Sequence, residues 1–275
     1  MTRYAAMFER CAADRAGAFG AFLMLGDPDL ETSAALLDAL VEGGADMVEL
    51  GIPFSDPVAD GPVIQAAAVR ALAAGVRTQQ CLDLIAAFRA RHAAVPIGIL
   101  TYANIVAARG VEAFTQQLAE AGADSLLIAD VPTIEAGPYA EAARAAGIDL
   151  VMIAAPNTPE PALRRIAELS SGYTYCVARD GVTGADRAPT LRHAPLFDAL
   201  ARLGAPPPVL GFGIATAAHV RDALETGAAG VVCGSALVRL VEAGASPKAL
   251  SSFVSELKDA TRGCTQNLAF AVEKR

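Results

Sequence analysis

Two acids carry most of the chemistry that this 275-residue sequence can offer. Glu49 lies in Met47-Val-Glu-Leu-Gly51, among aliphatic residues. Loss of water there favours the neutral carboxyl and raises its pKa toward the range in which one group both gives and takes protons. A core carboxylate paired with an arginine is the competing reading. Asp60 follows in Pro53-Phe-Ser-Asp-Pro-Val-Ala-Asp-Gly-Pro62, a stretch that its prolines stiffen. It reads equally as a second acid of the site and as a helix N-cap ahead of Gly61-Pro62. Asp56, beside Pro57, reads as a turn residue.

Other residue types narrow the chemistry. The only lysines are Lys248, Lys258 and Lys274, all late in the chain, which excludes a Schiff base on an earlier strand. His92, His193 and His219 are far apart, on predicted helices or their ends, and read as surface or packing residues rather than metal ligands. Carbon–carbon cleavage here would run on carboxylates, with Tyr175 and backbone N–H groups as helpers. The net charge of −8 argues against nucleic acid as a partner. It also means that an anionic substrate must be held locally, by backbone dipoles. Cys11, Cys81, Cys176, Cys233 and Cys264 are scattered without a CxxC pair and read as buried thiols. No apolar run reaches the roughly 18 residues of a membrane span. The start of the chain lacks the pattern of a secretory signal, so a cytoplasmic location is expected.

The elements that must position these residues are spelled repeatedly. An Ala-rich helical stretch, a Gly-Ala-Asp or Gly-Ile-Asp turn and a short aliphatic run recur at Glu42-Gly-Gly-Ala-Asp-Met-Val-Glu-Leu, Ala121-Gly-Ala-Asp-Ser-Leu-Leu-Ile and Ala146-Gly-Ile-Asp-Leu-Val-Met-Ile. Thr226-Gly-Ala-Ala-Gly-Val-Val-Cys is a fourth copy. Glycine ends each helix, and the continuous apolar run suits a parallel strand buried on both faces. Eight strands are expected near 20–25, 47–51, 96–101, 125–130, 149–154, 173–177, 208–212 and 230–234. That alternation predicts an α/β fold, a single (β/α)8 TIM barrel over residues 1–263 with an extra N-terminal helix from Tyr4 to Arg15. Residues 264–275 read as a C-terminal tail.

Function in such barrels sits on the loops after the strands. Gly211-Phe-Gly213 and Gly234-Ser235, after the last two strands, offer close backbone approach and free helix N–H groups, a phosphate site. The long stretch Arg179-Asp-Gly-Val-Thr-Gly184 to Arg187 reads as a lid, its arginines facing either a phosphate or solvent.

The Glu49 to Pro62 segment, with Arg179-Asp-Gly-Val-Thr-Gly184 and Gly211-Phe-Gly213, closely resembles the tryptophan synthase alpha subunit family. The resemblance runs on through Leu25-Gly-Asp-Pro28, Tyr102-Ala-Asn104, Ala129-Asp-Val-Pro132, Ala155-Pro-Asn157 and Tyr173-Thr-Tyr175. It implies a lyase of tryptophan biosynthesis that cleaves indole-3-glycerol phosphate by a retro-aldol reaction with no cofactor or metal in this chain. Glu49 would be the general acid/base and Asp60 would accept the indole N–H. Tyr175 would sit beside Glu49. Phe22, Leu100, Leu127, Ile153, Phe212 and Val232 would line an indole slot, although each singly also suits barrel packing. Gly184, Gly213, Gly234 and Ser235 would take the phosphate, and Thr183 would meet Asp60. The resemblance further implies a beta subunit holding pyridoxal phosphate in an αββα heterotetramer, met by Pro53 to Asp60, Asn104 and Pro132. A free-standing lyase and a silent regulatory barrel are the alternatives. Asp180, which sets an acid beside Arg179, and the extended tail are the departures from the family pattern.

Overall fold

The computed structural model describes residues 1–177, 193–211 and 213–263. Helix α1 (Arg3–Ala13) begins where the Thr2 side chain accepts from the Ala5 N–H. The strands are β1 (Ala18–Met24), β2 (Met47–Gly51), β3 (Ile97–Thr101), β4 (Ser125–Ile128), β5 (Asp149–Leu150), β6 (Met152–Ala154), β7 (Thr174–Cys176), β8 (Pro208–Leu210) and β9 (Gly230–Cys233). The helices between them are α2 (Leu30–Glu42), α3 (Pro62–Ala73), α4 (Thr78–Arg91), α5 (Ala103–Ala107), α6 (Val111–Glu120), α7 (Gly137–Ala146), α8 (Glu160–Leu169), α9 (Ala194–Arg202) and α10 (Ala217–Glu225). Helices α11 (Ser235–Glu242) and α12 (Pro247–Asp259) follow β9.

All pairings are parallel, in the order β5-β4-β3-β2-β1-β9-β8-β7-β6. The expected fifth strand is present as two pieces, because pairing changes partner at Val151. Its N–H still bonds the Leu126 carbonyl of β4 at 2.9 Å, whereas the next N–H, of Met152, turns to the Ser170 hydroxyl at 3.0 Å. A single residue thus joins the two ends of the sheet, and the eight expected strand positions close into the TIM barrel. Strands β1, β2, β4 and β9 are buried at every position, which is why they read as unbroken apolar runs.

The repeated turns have a mechanical role. In all four copies the glycine takes a positive φ (Gly44 92°, Gly122 90°, Gly147 75°, Gly227 109°) and stops the helix, and in two of them the aspartate then staples its strand to the neighbouring strand's entry. Asp46 donates its N–H to the Phe19 carbonyl and accepts the Phe19 N–H on its carboxylate, both at 2.8 Å. Asp124 does the same to Ile97, again with two bonds of 2.8 Å. The fourth copy has Ala229 at the aspartate position. Its N–H bonds the Pro208 carbonyl at 2.8 Å, and Pro208 has no N–H for a carboxylate to accept.

These aspartates also anchor cations. Asp124 takes Arg89 at 2.6 Å and Arg3 at 2.8 Å, while Asp46 takes Lys258 of α12 at 2.6 Å, tying the last helix to the first turn. Asp124→Ala leaves the Ile97 amide without its acceptor and strips Arg89 of its carboxylate while its carbonyl partners remain, and is expected to lower unfolding free energy by about 3 kcal/mol. Equilibrium urea unfolding measures this; a loss below about 1 kcal/mol would reduce the staple to a surface pair.

Candidate active site

Glu49 is the middle residue of β2, in register with Phe22 on one side and Gly98 on the other. It is 2% exposed. Its side chain points inward, and the group that meets it is the Tyr173 hydroxyl, which donates to Oε1 at 3.0 Å. Among the described residues no arginine or lysine pairs with it, so the core ion pair considered from the sequence is not what holds this acid. Gly98 makes the room: a Cβ there would stand 3.1 Å from the hydroxyls of Tyr4 and Ser125 and 3.5 Å from that of Tyr173. Tyr4 reaches in from α1, bonding Ser125 at 2.8 Å with its ring 5.2 Å from that of Tyr173. The N-terminal helix therefore floors the barrel beneath Glu49.

Asp60 stands on the rim loop between β2 and α3 and is 7% exposed. The N-cap of α3 is Gly61, without a side-chain cap, so Asp60 does not serve that function. Its main chain is fixed instead, its N–H on the Pro57 carbonyl at 3.0 Å and its carbonyl receiving the Gln65 amide at 2.7 Å. The Tyr102 hydroxyl, which accepts the Ala59 N–H at 3.3 Å, stands near enough to favour the charged form of Asp60. Asp56, by contrast, is exposed and bonded by its neighbour Ser55, a turn residue as its setting beside Pro57 suggests.

Burial dominates the proton affinity of both acids. It pushes Glu49 from its ordinary 4.5 up to about 7, with Tyr173 pulling down and the charge of Asp60 pushing up. It pushes Asp60 from 3.8 up to about 6, against the pull of Tyr102. Two acids poised near neutrality on one wall can exchange protons with a substrate between them.

The wall faces an open cleft. Glu49 and Asp60 line it together with Phe22, Leu100, Tyr175, Val232, Gly213, Gly234 and Ser235. Leu127 and Ile153 share the inward register, opposite Leu100 and Tyr175, but are not part of the lining. Thr183, Gly184 and Phe212 lie outside the described residues. Tyr175 does not bond Glu49; its hydroxyl donates to the Gly211 carbonyl at 2.8 Å, and its ring fills the space that a Cβ on Gly211 would need. The sequence reading did not single out Tyr173, Tyr102, Ile64 or Ile214. Tyr173 was open to detection, since alternation along the strand puts it on the same face as Tyr175.

Elsewhere in the lining the backbone is bare. Gly213 has φ 77° with nothing within 4 Å of where a Cβ would be, and Gly234 begins α11 with no side-chain cap. The first N–H groups of α11 have no partner within the helix and face the cleft at Ser235 and Ala236. Such a turn holds an anion without any lysine. Among the described residues no group of three or more His, Cys, Asp or Glu is placed to hold a metal ion.

Fold and cleft together define a (β/α)8-barrel lyase site, a buried acid pair at one end and an anion turn at the other. The family model for the tryptophan synthase alpha chain matches residues 8–266. The alpha chain of Shewanella amazonensis is 51% identical over 95% of this chain and all of its own length, and that of Serratia proteamaculans is 48% identical over 95% and 100%. A solved tryptophan synthase structure from Mycobacterium tuberculosis superposes with a TM-score of 0.87 at 32% identity, covering 95% of this chain and 98% of that one. An Aquifex aeolicus structure gives 0.86 at 33%, covering 95% and 100%. This chain belongs to the tryptophan synthase alpha chain family.

The raised pKa of Glu49 has a measurable sign. A carboxyl whose folded pKa lies above its unfolded value binds more protons when folded, so its cost to stability is absent at low pH and grows as pH rises from about 4.5 to about 7. Glu49→Gln keeps an acceptor for Tyr173 and carries no charge. It is expected to stabilise the chain by about 2–3 kcal/mol at pH 8, a gap that closes by pH 4. Urea unfolding at the two pH values checks it, and an unchanged gap would mean that ionisation of Glu49 costs the fold nothing.

Proposed function

We propose that the cleft carries out the alpha reaction of tryptophan biosynthesis, cleaving indole-3-glycerol phosphate to indole and D-glyceraldehyde 3-phosphate, with Glu49 and Asp60 as its catalytic residues. The observation that carries this reading is the spacing of unlike ends: two acids titrating near neutrality, an apolar lining of Phe22, Leu100 and Val232, and a bare glycine turn, all on one cleft.

The phosphate sits against the N–H groups of Gly213, Gly234 and Ser235, with Gly184 adding to them, which answers the chain's net charge of −8. The indole ring lies among the apolar side chains of Phe22, Leu100 and Val232, with Phe212 assigned to the same slot. Glu49 gives a proton to indole C3, and the ring nitrogen takes up the positive charge. The carboxylate of Asp60 accepts the N–H and stabilises that cation, the preorganised electrostatic contribution that is usually the largest in catalysis. Glu49, now ionised, takes the proton of the hydroxyl next to the ring. The carbon–carbon bond breaks, its electron pair returns to the ring as indole forms, and the hydroxyl carbon becomes the aldehyde. Thr183, outside the described residues, is assigned as a hydrogen-bond partner of Asp60.

Working partners follow from the family. A beta subunit holding pyridoxal phosphate receives the indole in an αββα tetramer, against the rim formed by Pro53 to Asp60, Asn104 and Pro132. Support comes from that rim, where Val58 is 70% exposed and Ile134 82% exposed, both apolar and both on loops after barrel strands. A cytoplasmic setting fits the buried, unpaired thiols of Cys11, Cys81, Cys176 and Cys233. The barrel to residue 263 is taken as the catalytic domain and 264–275 as a tail.

Glu49→Gln is expected to release no measurable indole from indole-3-glycerol phosphate while still binding it, since shape is kept and the proton carrier is lost. Turnover like that of the parent would overturn the mechanism. Asp60→Asn is expected to lose at least about a hundredfold, roughly 3 kcal/mol of barrier, and a loss under threefold would leave Asp60 no role in charge stabilisation. Mixing the chain with a beta subunit of the family is expected to raise indole production steeply. Equal rates with and without it would favour a free-standing lyase.

A further inference from the structure

Two helices open on the cleft, and one arginine joins them at their last turns. Helix α3 starts two residues after Asp60, and its Gln65 amide holds the Asp60 carbonyl at 2.7 Å. Helix α11 starts at Ser235, beside the bare glycine turn. Ile64 of α3 and Ser235 and Ala236 of α11 line the cleft. Arg70, in the last turn of α3, spreads its guanidinium over two acids. Nε and Nη2 donate to the two carboxylate oxygens of Asp27 at 2.7 and 2.8 Å, and Nη1 donates to Glu242 at 3.1 Å. Asp27 is 4% exposed and stands on the turn after β1, the strand that carries Phe22. Glu242 is the last residue of α11, where the helix dipole disfavours an acid unless a cation faces it.

We propose that Arg70 is a positioning residue for the cleft: by joining the β1 turn, α3 and α11, it sets where the Asp60 loop stands relative to the anion turn. Apolar contact between the helices does not settle that alone. The buried face of α3 is Ile64, Ala67, Ala68 and Ala71, mostly small residues that offer little to interlock. Burial of apolar surface is also non-directional, whereas a guanidinium fork met by a carboxylate accepts one geometry. From Pro62 to Arg70 the helix rises about 12 Å, and from Ser235 to Glu242 about 10 Å. The two helices are thus levers of similar length, and a tilt at the joined ends moves the cleft ends by a comparable amount. The Glu242 side chain is half-exposed, so its arm adds little to stability and serves alignment. A ligand that reaches from the Asp60 loop to the anion turn senses this joint, and a ligand that touches only one of them does not. The inference rests on the reading of the cleft as holding an indole ring and a phosphate together.

Arg70→Lys keeps a cation for the buried Asp27 and loses the fork, while Glu242→Gln removes only the charge of the exposed arm. Three ligands are titrated into the full chain and followed by NMR: indole-3-propyl phosphate, which carries ring and phosphate on one three-carbon link, glycerol 3-phosphate, and indole. Arg70→Lys is expected to weaken the linked ligand about tenfold and to lower kcat/KM for indole-3-glycerol phosphate about tenfold to a hundredfold. The two fragments are expected to bind as they do to the parent. Glu242→Gln is expected to weaken the linked ligand about threefold, with the urea midpoint and fragment binding unchanged. Equal losses for linked ligand and fragments would make Arg70 a residue of general stability, and an unweakened linked ligand would leave the spacing to other contacts; either result overturns the proposal. If Arg70→Lys does not fold, Glu242→Gln decides by the same comparison, and an unmoved linked ligand there counts against the proposal. A parent chain whose linked ligand binds no more tightly than its fragments would instead overturn the reading of the cleft, and the proposal with it.

Discussion

The carboxyl of Glu49, buried in the middle of a barrel strand with no cation paired to it among the described residues, is the constraint from which the rest of the site follows. An ion in that position must either be neutralised by a proton or be held by donors, since its hydration has been removed. Here the donor is a single phenol, from Tyr173, and the hold is loose enough that the proton affinity rises to about 7. An arginine in its place would have pinned the charge and lowered the pKa. The barrel floor reflects this choice: Gly98 gives up its side chain, and Tyr4 and Ser125 bond each other beside the acid rather than charging it.

The far end of the cleft solves the opposite problem, holding an anion in a chain whose net charge repels one. It does so with geometry rather than charge. Gly213 in the left-handed region and the uncapped start of α11 present N–H groups that carry no net charge and need no ordering of long side chains. The negative exterior therefore does not compete with the site. Acid pair and anion turn line one partly apolar cleft, and water that would level the difference between them is displaced when the cleft is filled.

Much of this was legible in the residues. The strand positions follow from apolar runs bounded by glycine, and the sheet confirms them, apart from the break at Val151, which depends on a hydroxyl from Ser170, 18 positions away, that no local pattern predicts. The placement of Glu49 and Asp60 at a strand and its rim, with Phe22, Leu100, Val232, Gly213 and Gly234 around them, could be read from one motif and two glycine pairs. The partners of the acids could not. Tyr173 lies just before β7 and Tyr102 just after β3, both far from the acids in sequence, and which hydroxyl of Tyr173 and Tyr175 reaches Glu49 is decided by Gly211, against which the Tyr175 ring is pressed. The alternative of Asp60 as an N-cap failed for a local reason, since Gly61 takes that position.

The staples at the strand entries set a rule of pairing between distant positions. Where the neighbouring strand opens on a residue with an N–H, as at Phe19 and Ile97, the turn carries an aspartate; where it opens on Pro208, the turn carries Ala229. A proline and an alanine that look unrelated in the chain are thus two halves of one choice. Restoring an amide at Pro208 alone would leave a donor unserved, and an aspartate at Ala229 alone would bury an acceptor with nothing to accept. At these three seams a turn and the strand entry beside it can be exchanged only together, whereas the third copy, where Asp149 reaches the Asp124 carbonyl through its main-chain N–H at 2.8 Å, makes no such demand.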